Sequence, residues 1–217
     1  MSKIKKVVII DYQLSNLFSV KHACARVGLE TEITSDPDCL LSADGAILPG
    51  VGAFKDAMDN LHKYDLVSAI TKFVNSGKPF MGVCLGMQLL FNESEEFGKH
   101  KGLSLIEGSV KKFPKYIKGH AMKIPQIGWN KIYPGNIQNN DWLDSYLKDI
   151  KPDRFMYFVH SYYVLPKDKK NILALTNYEG FEYTSAIRKN NIFAVQFHPE
   201  KSSEEGISIY KNFSMSI

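Results

Sequence analysis

The sequence contains little cysteine, no long hydrophobic run and no recognisable targeting segment. Its three cysteines are an odd and low number, and no two of them form a Cys-x-x-Cys pair, which argues against a disulfide framework and a thiolate zinc site. No apolar run approaches the ~20 residues that a transmembrane helix needs. A strand pattern follows Met1 within a few residues, without the layout of a signal peptide. We therefore expect a cytoplasmic protein that does not bind membranes.

The sequence also lacks a strong excess of either charge. Lys and Arg number 27 and Asp and Glu number 23, so the net charge is +4, and this small excess does not indicate a nucleic-acid-binding protein. Hydrophobic residues make up 44% and charged residues 23% of the chain, which is ordinary for a globular protein and excludes an intrinsically disordered one. No repeat, low-complexity tract or linker divides the chain. Residues 1–217 are therefore expected to form a single domain.

Strand and helix patterns alternate in the first half of the chain. Short runs rich in β-branched residues predict strands at residues 5–11, 30–34, 45–48 and 80–83. Apolar residues at helical spacing predict helices at residues 15–27, 53–75 and 85–91. This alternation is typical of a doubly wound parallel sheet.

Short strands and turns dominate after about residue 100. Strands are predicted at residues 110–113, 122–124, 131–133, 154–159, 172–176, 184–188 and 192–196, and helices at 141–148 and 204–213. Because most of these strands follow one another without an intervening helix, we expect them to extend the sheet in antiparallel fashion. The predicted fold class is α/β, with a doubly wound, mostly parallel sheet and an antiparallel extension.

The most informative segment surrounds Cys84. A predicted strand, residues 80–83, leads directly into this cysteine, and Gly82 and Gly86 lie two residues to either side. This is the G-x-C-x-G form of the nucleophile elbow, a strand–turn–helix device usually written with serine. The turn places the thiol at the N-terminus of the next helix, where the backbone N–H of Leu85 can bind an oxyanion. The alternative is a buried structural cysteine between two packing glycines.

A thiolate nucleophile needs a base, and His198 is the best candidate. It follows the predicted strand 192–196, and the carboxyl ends of parallel strands lie together at one edge of a sheet. His198 can therefore meet Cys84, and Glu200, two residues further on, can orient the imidazole as the third member of a triad. The alternative is that His198 caps a strand and Glu200 begins the helix that follows.

The segment Pro49-Gly50-Val51-Gly52 directly follows another predicted strand. Its two glycines allow backbone N–H groups to turn toward a ligand, as an oxyanion strand requires. A phosphate cradle is the rival interpretation, but the spacing matches neither G-x-G-x-x-G nor the P-loop. The third interpretation is a plain turn that binds no ligand.

The other cysteines and histidines carry weaker signals. Cys24 lies on the apolar face of the first predicted helix and is expected in the core, whereas Cys39 is expected at a helix start. His160 ends an aromatic segment and could line a pocket. The histidines expected near the surface are His22, His62, His100 and His120.

Three of these segments, residues 82–88 (GVCLGMQ), 196–202 (QFHPEKS) and 49–52 (PGVG), resemble the class I (triad) glutamine amidotransferases. The resemblance implies a flavodoxin-like fold and a cysteine that attacks the side-chain amide of glutamine. In this family Cys84 would be the nucleophile, His198 the general base and acid, and Glu200 the orienting carboxylate. The implied oxyanion donors are Gly50, Val51, Gly52 and Leu85, and the implied substrate-binding residues are Gln88, Glu96, His160, Ser161 and Tyr162.

Residues 101–108 (KGLSLIEG), 123–130 (KIPQIGWN) and 157–162 (YFVHSY) resemble one subfamily, the glutaminase subunits of imidazole glycerol phosphate synthases. That resemblance implies a heterodimer in which ammonia passes to a cyclase subunit with a (β/α)₈ barrel, in histidine biosynthesis, with no cofactor and no metal. A closed route is needed because ammonia would be protonated in bulk water. The positions that match partner-facing residues are Asn16, Trp129 and Lys201; core packing is the alternative for Trp129.

The chain departs from the family pattern in its first loop. The family reads Asp-Tyr-Gly-x-Gly-Asn, whereas this sequence has Gln13 and Ser15 in place of the two glycines, so the usual tight turn is not expected here. Because of this departure, a second acceptor of the ammonia remains an alternative. In that alternative the same glutaminase chemistry supplies ammonia to a sugar amidotransferase of bacterial surface-glycan biosynthesis. A third alternative is a non-catalytic binding protein on the same fold.

Overall fold

The computed structural model describes residues 5–14, 16–135 and 142–217. Within these ranges a 13-stranded mixed sheet forms the centre of the protein, and a separate two-stranded ribbon lies outside it. No described helix has both the length and the hydropathy required to span a membrane.

The secondary structure follows the alternation expected from the sequence in its first half and is rich in strands in its second. The described strands are β1 (Val7–Ile10), β2 (Thr31–Thr34), β3 (Gly45–Gly50), β4 (Phe80–Cys84), β5 (Phe91–Ser94), β6 (His100–Lys101), β7 (Ile106–Lys112), β8 (Tyr116–Ile117), β9 (His120–Ala121), β10 (Gln126–Pro134), β11 (Arg154–His160), β12 (Tyr162–Pro166), β13 (Ile172–Tyr178), β14 (Phe181–Lys189) and β15 (Ile192–Val195). The described α-helices are α1 (Leu17–Arg26), α2 (Pro37–Ser42), α3 (Phe54–Lys63), α4 (Leu66–Asn75), α5 (Leu85–Leu89) and α6 (Ser203–Met215), and 3₁₀ helices span Lys169–Asn171 and Pro199–Lys201.

The sheet confirms the predicted fold class. Its main path runs β2-β1-β3-β4-β15-β14-β12-β7-β5-β6, and the strands from β2 to β15 pair in parallel. From β14 onward most pairs are antiparallel, and β13 joins β14 to the β10–β11 hairpin. The parallel half is therefore the doubly wound part, and the antiparallel half extends it.

Alternating side chains of the parallel strands feed two hydrophobic cores, one on each face of the sheet. On β1, Val8 and Ile10 join the core that contains the apolar faces of α3 and α4. Val7 and Ile9 point the other way, into the core that contains α1 and α6. Because both faces of these strands are covered, they read as continuous apolar runs rather than alternating ones.

The register of the parallel strands brings three sequence segments to one edge. Gly50 at the end of β3 pairs with Cys84 at the end of β4, and Val195 at the end of β15 pairs with Val83. The 49–52 segment, the elbow cysteine and the chain leading to His198 therefore meet where the strands end, as the sequence predicted.

The predicted helix at residues 141–148 is wrong. Asp141 lies outside the described residues, and the residues that follow form successive turns, in which Ser145 N–H donates to the carbonyl of Trp142 and Ile150 N–H to that of Leu147. The hydroxyl of Ser145 also donates to Trp142 O and accepts from Leu147 N. These local side-chain bonds compete with helical ones, so the apolar spacing is satisfied by turns.

The other differences concern element boundaries and whole strands, since β5, β6, β8, β9 and β12 were not predicted. The predicted strand at residues 122–124 is absent, because β9 ends at Ala121 and Lys123 N–H bonds to the Glu179 carboxylate instead of a neighbouring strand. The predicted helix 53–75 is two helices, α3 and α4, separated at Asp65, whose φ is 56°. The helix predicted at 85–91 ends at Leu89 since Phe91 enters β5; the helix predicted to begin at Ser15, which lies outside the described residues, corresponds to α1.

We expect the close contact between α5 and β3 to make Gly86 important for the stability of the fold. A Cβ at this position would collide with the carbonyl oxygen of Leu48, which belongs to the backbone and cannot move aside. Gly86→Ala should lower the free energy of unfolding by about 3 kcal/mol, measured by urea denaturation. The matched control is Gly77→Ala, where a Cβ meets open space at a φ of 79°, so that only about 1 kcal/mol should be lost. Equal losses in the two variants would contradict this account.

Candidate active site

Cys84 occupies the strained turn that the sequence predicted between β4 and α5. Its backbone has φ 54° and ψ −110°, a combination that L-residues rarely adopt and that surrounding structure must hold in place. The two flanking glycines allow this packing, because a Cβ on Gly82 would lie 3.0 Å from that of Ala194 and one on Gly86 would strike Leu48. The glycines are thus explained by close packing, and the turn sets the direction of the Cys84 side chain.

His198 and Glu200 form a buried pair beside this turn. Nδ1 of His198 lies 2.7 Å from Oε1 of Glu200, and both side chains are almost fully buried. The second carboxylate oxygen of Glu200 accepts a 3.4 Å bond from the hydroxyl of Tyr210. The backbone of His198 is held by its N–H to Tyr157 O and by its carbonyl, which accepts from Ser202 Oγ. The imidazole is therefore fixed in position by its neighbours.

The electrostatics of this group favour a protonated imidazole. Burial by itself lowers the pKa of His198, but the neighbouring charge of Cys84 and the hydrogen bond to Glu200 raise that pKa to about 10. The other ring nitrogen, Nε2, is buried and forms no ordinary hydrogen bond with any described residue. A thiolate on Cys84 and an imidazolium on His198 consequently stabilise each other, as in cysteine nucleophiles activated by a histidine.

The predicted oxyanion segment lies next to Cys84, but one of its donors is already engaged. Val51 N–H donates a 2.9 Å bond to the carbonyl of Leu14, so it does not point at a ligand in this arrangement. Gly50 is required because a Cβ there would collide with the hydroxyl of Tyr12, which donates to Pro49 O. Gly52 has a φ of 103° and can turn without strain.

In the first loop Gln13 adopts a left-handed backbone conformation although it is not a glycine, but the expectation about the family's tight turn stays a prediction. Gln13 adopts a φ of 70°, and Asp11 stabilises it by accepting from both the backbone N–H and the side-chain Nε2 of Gln13. These two bonds offset the strain of the conformation. Ser15, the other replacement, lies outside the described residues.

Beside Cys84 lies a cavity of about 260 Å³ that most of the predicted residues line. Its wall contains Val51, Gly52, Cys84, Leu85, Gln88, Glu96, Pro125, Val159, His160, Ser161 and Tyr162. Gly50, His198 and Glu200 are not part of that wall, although Gly50 pairs with Cys84. Sequence reasoning did not single out Pro125 or Val159, although both lie in segments that carried the resemblance.

The wall of the cavity presents hydrogen-bond acceptors. Gln88 uses both hydrogens of its amide nitrogen on Tyr162 O and Gln196 Oε1, each at 3.0 Å, so only its own oxygen is left for a ligand. Glu96 accepts from Phe54 N–H at 2.7 Å, and burial raises the pKa of its carboxyl. Acceptors of this kind suit a positively charged amino group.

His160 shapes the wall of the cavity and is not a second base. Its Nδ1 lies 2.8 Å from the carbonyl oxygen of Tyr162, which requires a proton on that nitrogen, and its Nε2 lies 3.2 Å from the hydroxyl of Tyr183. Burial lowers the pKa of His160 to about 4. The ring is therefore neutral near pH 7, and its role is to support the wall at Tyr162.

The residues predicted to face a partner are accessible. Trp129 is 48% exposed, so the core-packing alternative is wrong. Its ring contacts that of Tyr157 edge to face, and Lys201 Nζ lies 5.9 Å from the centre of the Tyr157 ring. Asn16 precedes α1 and accepts from Ser19 Oγ.

We call the outward side of the β10–β11 hairpin the hairpin face; it consists of Ile127, Trp129, Phe155 and Tyr157.

The remaining cysteines and histidines lie apart from this site. Cys24 is buried in the core beside α6, and Cys39 lies in α2 near Lys6 and Glu32, both as the sequence indicated. Three of the four histidines predicted near the surface are exposed, and His100 is half-buried. Among the described residues, no group of three or more His, Cys, Asp or Glu side chains is arranged to hold a metal ion.

Comparison with known sequences identifies the family. The sequence model of the family described as "Glutamine amidotransferase class-I" matches residues 8–217. The chain is 44% identical over 209 residues (95% of this chain and 98% of the relative) to imidazole glycerol phosphate synthase subunit HisH of Syntrophotalea carbinolica. It is 43% identical over 208 residues (96% and 97%) to the protein of that name from Sulfurimonas denitrificans, and 42% over 212 residues (97% and 98%) to that from Geobacter metallireducens.

Solved structures agree with this assignment at the level of the fold. PurLQS from Thermotoga maritima aligns with a TM-score of 0.72 at 18% identity, covering 98% of this chain and 99% of that one. The glutaminase domain of CTPS from Trypanosoma brucei, with bound acivicin, aligns with a TM-score of 0.66 at 20% identity, covering 98% and 93%. Since the family model spans nearly the whole chain and the similar sequences match it almost end to end, the protein belongs to the class I glutamine amidotransferases.

Proposed function

We propose that this protein is the glutaminase subunit of an imidazole glycerol phosphate synthase. It would hydrolyse glutamine and pass the ammonia to a cyclase subunit with a (β/α)₈ barrel, for histidine biosynthesis. The observation that carries the proposal is the strained Cys84 turn beside the buried His198–Glu200 pair. The names of the relatives support the pathway, and the word "subunit" in them supports a partner protein.

The first half of the proposed reaction forms a thioester. The Cys84 thiolate attacks the side-chain amide carbon of glutamine, and the carbonyl oxygen becomes an oxyanion that the N–H of Leu85 stabilises. His198 gives its proton to the amide nitrogen as the carbon–nitrogen bond breaks, and ammonia leaves. The protein then carries a glutamyl thioester on Cys84.

The second half restores the enzyme. His198, now neutral, takes a proton from water as the water oxygen attacks the thioester carbon. The carbon–sulfur bond breaks, glutamate leaves and the Cys84 thiolate returns beside the imidazolium. The sum of the two halves is glutamine plus water giving glutamic acid plus ammonia, and the acid then releases its proton to become glutamate. Glu200 holds the ring of His198 through Nδ1 in both halves.

The cavity supports glutamine as the substrate. Its side-chain amide would lie at Cys84, and its α-ammonium group would lie at the acceptors of the cavity wall, Gln88 and Glu96. The hydrogen bonds described for the Gln88 side chain come from its nitrogen, so its oxygen is left to accept from the ammonium group. The carboxylate of Glu96 supplies a negative charge. A volume of about 260 Å³ suits a small amino acid such as glutamine.

The hairpin face supports the proposal of a protein partner that docks next to the cavity. Trp129 and Phe155 are about half exposed there, and exposed aromatic residues of this kind are typical of interfaces. Ile127 pairs with Val159, which lines the cavity, so this face borders the proposed source of ammonia. A cyclase docked here would cover the route out of the site.

Removal of the Cys84 thiol should separate the two half-reactions of the complex. In Cys84→Ala, glutamine-dependent synthesis by the complex with the cyclase should fall to background because no thioester can form. Synthesis from added ammonium salt should continue, because the cyclase is intact. Both rates are measured by steady-state assay of the cyclase product, with Cys39→Ser as the control. Retained glutamine hydrolysis in Cys84→Ala would refute the assignment of the nucleophile.

Removal of the charge on Glu200 should cost less than loss of either reacting group. A buried, charge-assisted hydrogen bond is lost in Glu200→Gln, so we expect kcat for glutamine hydrolysis to fall roughly 100-fold. His198→Ala should lose several more powers of ten, since it removes the proton carrier. Glu204→Gln is the matched control, because Glu204 forms an exposed ion pair with Arg26. Losses of equal size in Glu200→Gln and His198→Ala would contradict an orienting role.

Complementation distinguishes the proposed acceptor from a surface-sugar pathway. The gene should restore growth without histidine to a bacterial strain that lacks its own glutaminase subunit, and the Cys84→Ala version should not. Failure to restore growth, with folded protein present in the cells and glutaminase activity in the extract, would refute the histidine pathway and leave the glutaminase chemistry standing.

A further inference from the structure

Gln196 is a buried polar residue in direct contact with the proposed nucleophile. It follows β15, is fully buried, and its backbone N–H bonds to Ser185 O. Its side-chain nitrogen Nε2 lies 3.6 Å from Sγ of Cys84, a usual distance for a hydrogen bond to sulfur, and its oxygen accepts from Gln88. The reaction described above assigns no role to this amide.

The orientation of the Gln196 amide is determined by the carbonyl of Tyr162, which acts on it through the side chain of Gln88. The carbonyl of Tyr162 can only accept, so Gln88 must turn its nitrogen toward it. That same nitrogen also points at the Gln196 side chain, which must therefore present its oxygen to Gln88. The nitrogen of Gln196 is then left facing Sγ of Cys84. Rotating either amide by 180° would oppose two donors or two acceptors in a buried site.

A donor in this position favours the thiolate over the thiol. Hydrogen bonds to a charged acceptor are stronger than those between neutral groups, and the low polarity of the interior increases the difference. Sγ also lies 3.9 Å from the carbonyl oxygen of Val159, which can accept from a thiol but cannot stabilise a negative sulfur. Gln196 therefore complements His198, which supplies the positive charge.

The titratable groups near Cys84 do not duplicate this effect. Burial raises the pKa of Tyr12 and Tyr183, so both are neutral, and it lowers the pKa of His160 to about 4, so that ring is neutral as well. Glu96, on the cavity wall, can carry only a negative charge. His198 is the remaining group that favours the thiolate.

We propose that Gln196 stabilises the Cys84 thiolate through a hydrogen bond from Nε2 to Sγ, and that Gln88 and the carbonyl of Tyr162 fix the direction of this donor. This inference deepens the proposed glutaminase function, on which it rests. Gln196 acts as a positioning residue that keeps the nucleophile charged before glutamine arrives.

The test is the reactivity of Cys84 toward iodoacetamide as a function of pH, in the full chain without glutamine. The modified Cys84 peptide is quantified by mass spectrometry, which separates it from Cys24 and Cys39. In Gln196→Leu the midpoint of the profile should move upward by about one pH unit, since one charge-assisted hydrogen bond is lost. In Gln196→Glu the shift should be larger, because a carboxylate of nearly the same shape would repel the thiolate.

The matched control is Gln126→Leu, which removes another fully buried glutamine from a hydrogen-bond network. Gln126 bonds to Tyr183 and Asn130 and does not contact Cys84, so its midpoint should stay within a few tenths of the wild-type value. An unchanged midpoint in either Gln196 variant, or an equal shift in Gln126→Leu, would overturn the inference. If Gln196→Leu does not fold, Gln196→Glu decides the question alone because it retains the acceptor for Gln88.

The same variants distinguish this inference from the function on which it rests. If the glutaminase assignment is wrong, wild-type protein with its partner will show no thioester-dependent hydrolysis, whatever the alkylation profile. If only the inference is wrong, glutamine hydrolysis will depend on Cys84, but the pH midpoint of alkylation will be the same in the Gln196 variants as in the wild type. A correct inference also predicts that kcat/KM of Gln196→Leu recovers at high pH, where a purely structural defect would not.

Discussion

The strained backbone of Cys84 is the constraint on which the rest of the site depends. A five-residue helix and a short strand do not impose φ 54° and ψ −110° by themselves. The conformation persists because α5 packs against the end of β3 with no room for a side chain at Gly86, and β4 packs against β15 at Gly82. The order of strands in the sheet thus fixes the position of the sulfur, and the surrounding groups are arranged about that fixed point.

Around the sulfur, the buried carboxylate and amide groups each have one direction in which their hydrogen bonds can be satisfied, whereas Nε2 of His198 has no such bond among the described residues. Glu200 fixes the ring of His198 from one side, and the Tyr162 carbonyl fixes two glutamine amides from the other. Because reorientation would leave a buried donor or acceptor unpaired, the cost of disorder here is of the order of 1–3 kcal/mol per group. The imidazole of His198 and the two glutamine amides are therefore held in place before substrate binds, which is the condition for electrostatic stabilisation of a developing charge, whereas the Val51 N–H is still engaged by Leu14.

Local sequence was sufficient for features in which short-range spacing carries the chemistry. The elbow glycines, the His-Pro-Glu spacing and the parallel strands of the first half all follow from neighbours in the chain. What could not be predicted depends on partners distant in sequence: the contact of Gln196 with Cys84 spans 112 residues, and that of Tyr12 with Pro49 spans 37. The turns after residue 141 were missed because apolar spacing alone does not distinguish a helix from turns that are stabilised by side-chain hydrogen bonds such as those of Ser145.

The bond between Val51 and Leu14 connects the chemistry to the surface. It joins the segment beside Cys84 to the loop that contains Gln13, and it is a single neutral backbone bond, worth about 1 kcal/mol net. A partner that contacts this loop therefore needs only a small difference in affinity between the two arrangements to free the Val51 N–H for an oxyanion. Because the other proposed donor, Leu85, is fixed at the start of α5, the number of oxyanion donors would then depend on whether the partner is bound.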